Sequence, residues 1–160
     1  MHSKSQLFIM TEYTVFNKES FNRKTNFLII LAIGIAGLIV RLYFNPENPL
    51  TGDATNYFVY AVDTGIKGKL SDVYFLANSG WSIFLSGIFS IIQFDNPIVL
   101  MDVQRLLSIS ISVITIIPVY YLCRRFFNQF YSIIGTALFI FEPHIIINST
   151  LGITEPIFLF

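Results

Sequence analysis

Charged residues are scarce in this sequence, at 12% of 160 positions, which is about half the fraction usual in a soluble domain. This shortage, with a mean hydropathy of +0.65, argues against a soluble fold. Neither sign of charge is in excess, because ten Lys and Arg residues balance ten Asp and Glu residues, so no nucleic-acid partner is predicted. Cys123 is the single cysteine, which excludes an intrachain disulfide and a cysteine-rich metal site.

Motifs that bind nucleotides or metals in soluble enzymes are also missing. The sequence has no Walker loop, no dinucleotide-binding fingerprint, no HExxH and no pair of His ligands. Soluble cofactor chemistry has no support, and no cofactor is predicted. The hydrophobic residues, 54% of the chain, are gathered in long runs instead.

These runs predict an all-α, multi-pass membrane protein with three full spans. Residues 27–44 are long enough to cross the hydrocarbon core, and the side chain of Arg41 near their end is expected to reach the interface. Residues 98–123 form a second span, in which Pro118 predicts a kink. Residues 129–148 form a third, and 156–160 begin a fourth.

An external loop is predicted between the first two spans, at residues 45–97. A short helix at 53–63 begins at Asp53, whose carboxylate also suits a first-turn or capping role near the positive end of the helix dipole. A second helix, at 81–94, has only 14 residues and a narrow face of polar side chains. It is too short to cross the membrane, which predicts a juxtamembrane helix.

The distribution of charge supports this topology. If 81–94 does not cross, the polar tail at residues 1–26 shares one face with Arg124 and Arg125, and most acidic residues lie on the other face. The positive-inside rule then predicts a cytoplasmic N terminus. Asp53 and Glu155 come from separate loops on the external face. We expect the protein to lie in a prokaryotic plasma membrane.

The order of short motifs resembles the start of integral-membrane glycosyltransferases of the GT-C class. The resemblance covers residues 27–160 and is closest to the branch that includes protein mannosyltransferases and aminoarabinose transferases. The motifs that carry it are a first helix ending in Arg41, the pattern Asp53-x-x-x-Tyr57-x-x-x-Ala61, the pair Gly80-Trp81, Arg105 at a helix start, Arg124-Arg125-Phe126-Phe127, Pro143 and Thr154-Glu155.

This resemblance implies transfer of a sugar from a polyprenyl phosphate to a hydroxyl group of protein, lipid or glycan. Asp53 matches the catalytic acid of the first loop, a general base, and Glu155 matches a second acid that orients the acceptor. Arg105, Tyr57 and Arg41 are the implied substrate-binding residues, with an arginine holding the lipid phosphate. Read from the residues alone, Arg105 equally fits a helix-end arginine that pairs with Asp102 and extends to water.

The sequence also departs from the family pattern. Asn78-Ser79-Gly80 stands where many relatives have a Pro-Pro pair, and Glu155 is a single acid where metal-dependent relatives have two, so no metal is predicted. Relatives have about three times as many spans, so we expect the chain to be an N-terminal part truncated at 160 and inactive alone. The alternative is a non-catalytic transporter fragment or assembly subunit that uses Glu142 and Arg105 for polar packing or a permeation path.

Overall fold

The computed structural model describes residues 23–46, 48–69, 80–92 and 96–153. Helix accounts for 84% of these residues and no strand occurs among them, so the predicted all-α fold is confirmed. Within these ranges the helices are α1 (Arg23–Tyr43), α2 (Asp53–Lys67), α3 (Gly80–Ile91), α4 (Pro97–Ile114), α5 (Ile116–Phe126), α6 (Gln129–Ile140) and α7 (Pro143–Leu151).

The first span, α1, begins four residues before its predicted start at 27. Its first turn contains Arg23 and Lys24, which are good helix formers although they are charged, so hydropathy alone places the boundary too late. Helix α1 thus includes the last four residues of the predicted tail at 1–26, and residues 1–22 lie outside the described part of the chain. With 21 residues and high hydropathy, α1 is long enough to cross a membrane.

The predicted second span is divided into α4 and α5 at Thr115. Pro118 causes the interruption, since it has no N–H to donate to the Ile114 carbonyl and its ring crowds that carbonyl. The Thr115 hydroxyl meanwhile donates to the Ile111 carbonyl at 2.8 Å. Together α4 and α5 form a continuous apolar stretch of 30 residues that can cross a membrane. This interruption lies three residues before the proline, and the predicted kink of the span stays a prediction.

The predicted third span is broken into α6 and α7, which meet at an angle of 47°. Pro143 is the first residue of α7, and the Glu142 carboxylate accepts a hydrogen bond of 2.8 Å from the Ile145 N–H. Glu142 is therefore the N-cap of α7, which gives this acidic residue a structural role. The pair is either one broken span or a re-entrant loop. The described residues thus contain two to three candidate spans, and residues 156–160 lie outside them.

The two short helices between the spans, α2 and α3, pack against each other. Helix α2 starts at Asp53 as predicted but continues four residues past 63, where Lys67 pairs with Asp63 at 2.7 Å and Gly68 ends the helix with φ of 64°. Helix α3 starts one residue before the predicted 81 and ends at Ile91, three residues before the predicted 94. It is too short to be a candidate span, as predicted.

Between α2 and α3 lies an apolar cluster that also includes the N-terminal part of α4; we call it the α2–α3 core. It consists of Leu50, Ala54, Phe58, Ala61, Trp81, Leu85, Phe89 and Leu100. The longer helices form a bundle in which α1 packs against α4, α6 and α7, while α5 packs against α6. The α2–α3 pair therefore lies at one end of this bundle, where α4 begins.

The opposite end of the bundle carries basic residues. The Asn26 side chain near the start of α1 donates a hydrogen bond to the Tyr120 hydroxyl of α5. This contact brings together the end of α1 that carries Arg23 and Lys24 and the end of α5 that carries Arg124 and Arg125. The grouping agrees with the charge argument for topology, whereas which face is cytoplasmic stays a prediction.

Cysteine labelling tests this topology. In a Cys123→Ser background, Asn56→Cys on α2 and Asn128→Cys before α6 are expected to react with a membrane-impermeant maleimide from opposite sides of sealed vesicles, because only the α4–α5 span separates them. Both positions are exposed. A parallel reaction after lysis, which should label both, controls for reactivity. Labelling from the same side would show that α3 crosses the membrane or that α4–α5 does not.

Candidate functional site

Asp53 is the first residue of α2, and its side chain is exposed. Gly52 is the N-cap, with φ of 59° and no side-chain capping hydrogen bond, so the capping alternative for Asp53 is wrong and the first-turn placement is confirmed. Within the described residues no hydrogen bond or ion pair engages its carboxylate. The Thr55 hydroxyl stabilises the turn before α2 by donating a hydrogen bond of 2.7 Å to the Leu50 carbonyl. The carboxylate is thus held on an ordered helix start and left open to solvent.

Gln104 of α4 connects this helix start to the end of α7. Its side-chain amide nitrogen donates to the Ala54 carbonyl at 3.1 Å and to the Gly152 carbonyl at 2.8 Å. The Gly152 carbonyl also accepts a hydrogen bond of 3.3 Å from the indole N–H of Trp81. All three contacts are buried, and buried polar groups that share such a network hold one another in place. We call Asp53, Ala54, Trp81, Gln104 and Gly152 the candidate site.

Glu155 lies outside the described residues, so its predicted pairing with Asp53 is not tested. The chain that leads to it is described up to Ile153. Because one amide nitrogen binds both Ala54 and Gly152, the residue after Asp53 and a residue three before Glu155 lie within two hydrogen-bond lengths of each other.

Arg105, the predicted phosphate-binding residue, is buried beneath the segment that links α1 to α2. Its two terminal nitrogens donate to the Pro46 and Asn48 carbonyls, each at 2.9 Å. Oδ1 of Asp102 lies 3.6 Å from Nη1 of Arg105, so the predicted pair forms, but the arginine side chain is only 4% exposed and does not extend to water. Arg105 also lies in the middle of α4 and not at a helix end, so this alternative is right about the pair and wrong about the position and the exposure. The phosphate-binding role stays a prediction.

Arg41 lies at a different place from the one the sequence predicts. Its side chain is fully buried, and the expectation that it reaches the membrane interface is wrong. The guanidinium group donates to two serine hydroxyls and two backbone carbonyls, which leaves one of its five N–H groups without a described partner. These acceptors are Ser149 Oγ at 3.1 Å, Ser112 Oγ at 3.1 Å, Gly37 O at 3.0 Å and Ile140 O at 3.0 Å. All four acceptors lie inside the bundle, where the Arg41 side chain cannot contact a substrate at the surface. These contacts therefore give no support to the predicted substrate-binding role of Arg41.

Tyr57 lies one helical turn after Asp53 and packs, partly buried, against the α2–α3 core. Its backbone carbonyl accepts a hydrogen bond of 3.0 Å from the Ser82 hydroxyl of α3. Ser82 belongs to the predicted polar face of that helix, and this face therefore points in part toward α2. Whether the Tyr57 side chain touches a substrate stays a prediction.

Sequence reasoning missed Gln104 and the indole of Trp81 as parts of the site. The available signal was an uncharged polar residue in the predicted second span, directly before Arg105. Among the residues that the structure describes, no group of three or more His, Cys, Asp or Glu side chains could hold a metal ion. No known protein family, curated protein or solved structure matches the chain.

Proposed function

We propose that the protein acts as an integral-membrane glycosyltransferase that moves a sugar from a polyprenyl phosphate, dolichyl or undecaprenyl, to a hydroxyl acceptor on the outer membrane face. The observation that carries this proposal is the double hydrogen bond of Gln104 to Ala54 and Gly152. Through these bonds the helix start that carries the exposed Asp53 carboxylate lies beside Gly152, three residues before Glu155, at one end of the helical bundle. A general base for a hydroxyl group must be accessible, and the exposed carboxylate of Asp53 at a helix start meets this condition.

The residues of this proposal have separate roles. Asp53 takes the proton of the acceptor hydroxyl as that oxygen attacks the sugar, and the polyprenyl phosphate leaves. Glu155 orients the acceptor, and Tyr57 contacts a substrate beside the base. Arg105 binds the lipid phosphate. One of its N–H groups, which in the structure donates to the Pro46 or Asn48 carbonyl, donates to a phosphate oxygen instead, because that oxygen is a stronger acceptor than a neutral carbonyl.

Binding of the lipid donor tests the proposal. A photoreactive polyprenyl phosphate is added to the purified chain in micelles, and the same polyprenyl chain ending in a hydroxyl group is the control. We expect the phosphate probe to label the chain near residues 44–58, and we expect Arg105→Met to reduce this labelling. Equal labelling by the phosphate and the hydroxyl probe would contradict a phosphate-specific site.

A second candidate, a non-catalytic assembly subunit, is favoured by one observation. Arg105 and Arg41 both bind backbone carbonyls inside the protein, which is polar packing rather than an open ligand site. In this case the phosphate probe should bind no better than the hydroxyl probe. Asp53→Asn should then leave every function of the protein intact.

A further inference from the structure

We propose that Arg41 is a positioning residue: it binds the end of α6 and the last turn of α7, which fixes the direction of α7, and α7 in turn holds the Gly152 carbonyl in the candidate site. The importance of this for catalysis rests on the proposed function. The positioning itself does not, because it follows from contacts that can be measured without any substrate.

The break between α6 and α7 leaves the end of α6 without its usual partners. In a continuous helix the Ile140 carbonyl would accept a hydrogen bond from the N–H of residue 144. Here it accepts one from the Arg41 guanidinium at 3.0 Å instead. A cation at a helix C-terminus also interacts favourably with the helix dipole. Arg41 therefore satisfies the carbonyl that the break exposes.

The same guanidinium group also binds the other side of the break. Its Nε donates to the Ser149 hydroxyl in the last turn of α7, at 3.1 Å. A single rigid, planar group thus contacts the end of α6 and the end of α7, which sets the direction of one helix against the other. Gly37 leaves the space for this arrangement, since a Cβ at that position would lie 2.6 Å from Ile140 Cγ1.

Arg41 holds these acceptors firmly because the described residues offer it no alternative. No described acidic side chain lies within ion-pair distance, and the side chain has no exposed surface. A buried guanidinium that lost its hydrogen bonds would carry the full cost of desolvation. Any motion of α7 away from Arg41 is therefore opposed at the Ser149 contact.

From that contact α7 leads directly to the candidate site. Gly152 follows the last helical residue with φ of 74°, and its carbonyl receives the N–H groups of Trp81 and Gln104. A Cβ at Gly152 would lie 3.3 Å from Leu50, so the chain is closely packed there. A nine-residue helix moves as a unit, and a shift of α7 at Ser149 is expected to move the Gly152 carbonyl as well.

Trp81 reports this position, because it is the only tryptophan in the chain and its indole binds the Gly152 carbonyl. The test compares Ser149→Ala with Ser112→Ala. Both serines are buried and each accepts one Arg41 N–H at 3.1 Å, but only Ser149 belongs to α7. Arg41 itself is left unchanged, since its loss could prevent folding.

We expect Ser149→Ala to shift the emission of Trp81 to longer wavelength and to increase its quenching by acrylamide. Ser112→Ala should leave both properties as in the wild type. Thr150→Val controls for the hydrogen bond inside α7, because the Thr150 hydroxyl donates to the Ile147 carbonyl at 2.8 Å just as Ser149 donates to Ile146 at 2.7 Å. It should leave the emission of Trp81 unchanged.

The proposal is overturned if Ser149→Ala leaves the emission of Trp81 unchanged, or if Ser112→Ala shifts it equally while circular dichroism shows both variants folded. A second measurement, sugar transfer in native membranes of cells that carry each substitution in the chromosomal gene, should show a lower kcat for Ser149→Ala than for Ser112→Ala, with KM unaltered. An absence of transfer in such membranes with the wild-type gene would overturn the proposed function, and the fluorescence comparison would still decide the positioning.

Discussion

Asp53→Asn is expected to lower sugar transfer by about two to four orders of magnitude, the usual contribution of a general base. Asn has nearly the same shape as Asp but cannot accept the proton of an acceptor hydroxyl. Because the carboxylate is exposed and binds no described partner, its replacement should leave the fold and membrane insertion unchanged. The substitution is introduced into the chromosomal gene, and incorporation of labelled sugar is measured in native membranes.

Asp63→Asn is the matched control for this experiment. Asp63 lies on the same helix and pairs with Lys67 at 2.7 Å, a contact between neighbouring turns that contributes only about 0.2–0.5 kcal/mol to the helix. Its replacement should leave transfer within the range of the wild type. Retained transfer by Asp53→Asn would refute the role of the base, and an equal loss in both variants would point to a damaged helix.

The starts of α2 and α6 were predictable because the signals that set them are local, whereas α1, which has no such signal, starts four residues before its predicted position. Asp53 follows a glycine that takes a positive φ, and α2 begins there as predicted. The Asn128 side chain caps α6 by accepting a hydrogen bond from the Tyr131 N–H, and the predicted start at 129 is correct. A cap acts within three or four residues, so the sequence alone contains the information needed to locate it.

Helix ends and breaks were predicted less well, since packing contributes to them. The predicted helix ends at 63, yet α2 continues to Lys67, and Gly65 inside it packs against α3: a Cβ there would lie 3.5 Å from the Ser86 carbonyl. Pro143 lies inside the predicted third span, but at the 47° break between α6 and α7 the Ile140 carbonyl also binds Arg41, which is 99 residues away in the chain.

The buried contacts of Arg41 and Gln104 were beyond sequence reasoning for the same reason. Each side chain binds groups from distant parts of the chain, and the partners lie 48 to 108 residues away except for Gly37. Periodicity places an arginine near the end of a span and predicts that it reaches water. Only the arrangement of the helices shows that two serines and a broken helix offer it acceptors inside the bundle.

The close approach of α1 to α6 leads to the largest expected effect on stability, which is that of Gly37→Ala. The added Cβ would lie 2.6 Å from Cγ1 of Ile140, a fully buried and β-branched side chain that cannot easily turn aside. The same Cβ would lie 3.4 Å from the Arg41 guanidinium. We expect the free energy of unfolding to fall by about 1–3 kcal/mol, as is usual for overpacking, measured by titration with SDS in mixed micelles.

Gly34→Ala is the control, because Gly34 is also buried on α1 but has space around it. A Cβ added at Gly34 would lie 4.0 Å from Cδ1 of Ile116 and 4.0 Å from Cγ1 of Val113. Alanine is the better helix former by about 1 kcal/mol, so this variant should be as stable as the wild type or more so. A double variant, Gly37→Ala with Ile140→Ala, should lose less stability than the two single changes added together, since the clash is relieved. If the two glycine substitutions had equal effects on stability, α1 and α6 would not be in close contact at Gly37. The hydrogen bond of Arg41 to the Ile140 carbonyl would then lose its basis, because it requires this close contact.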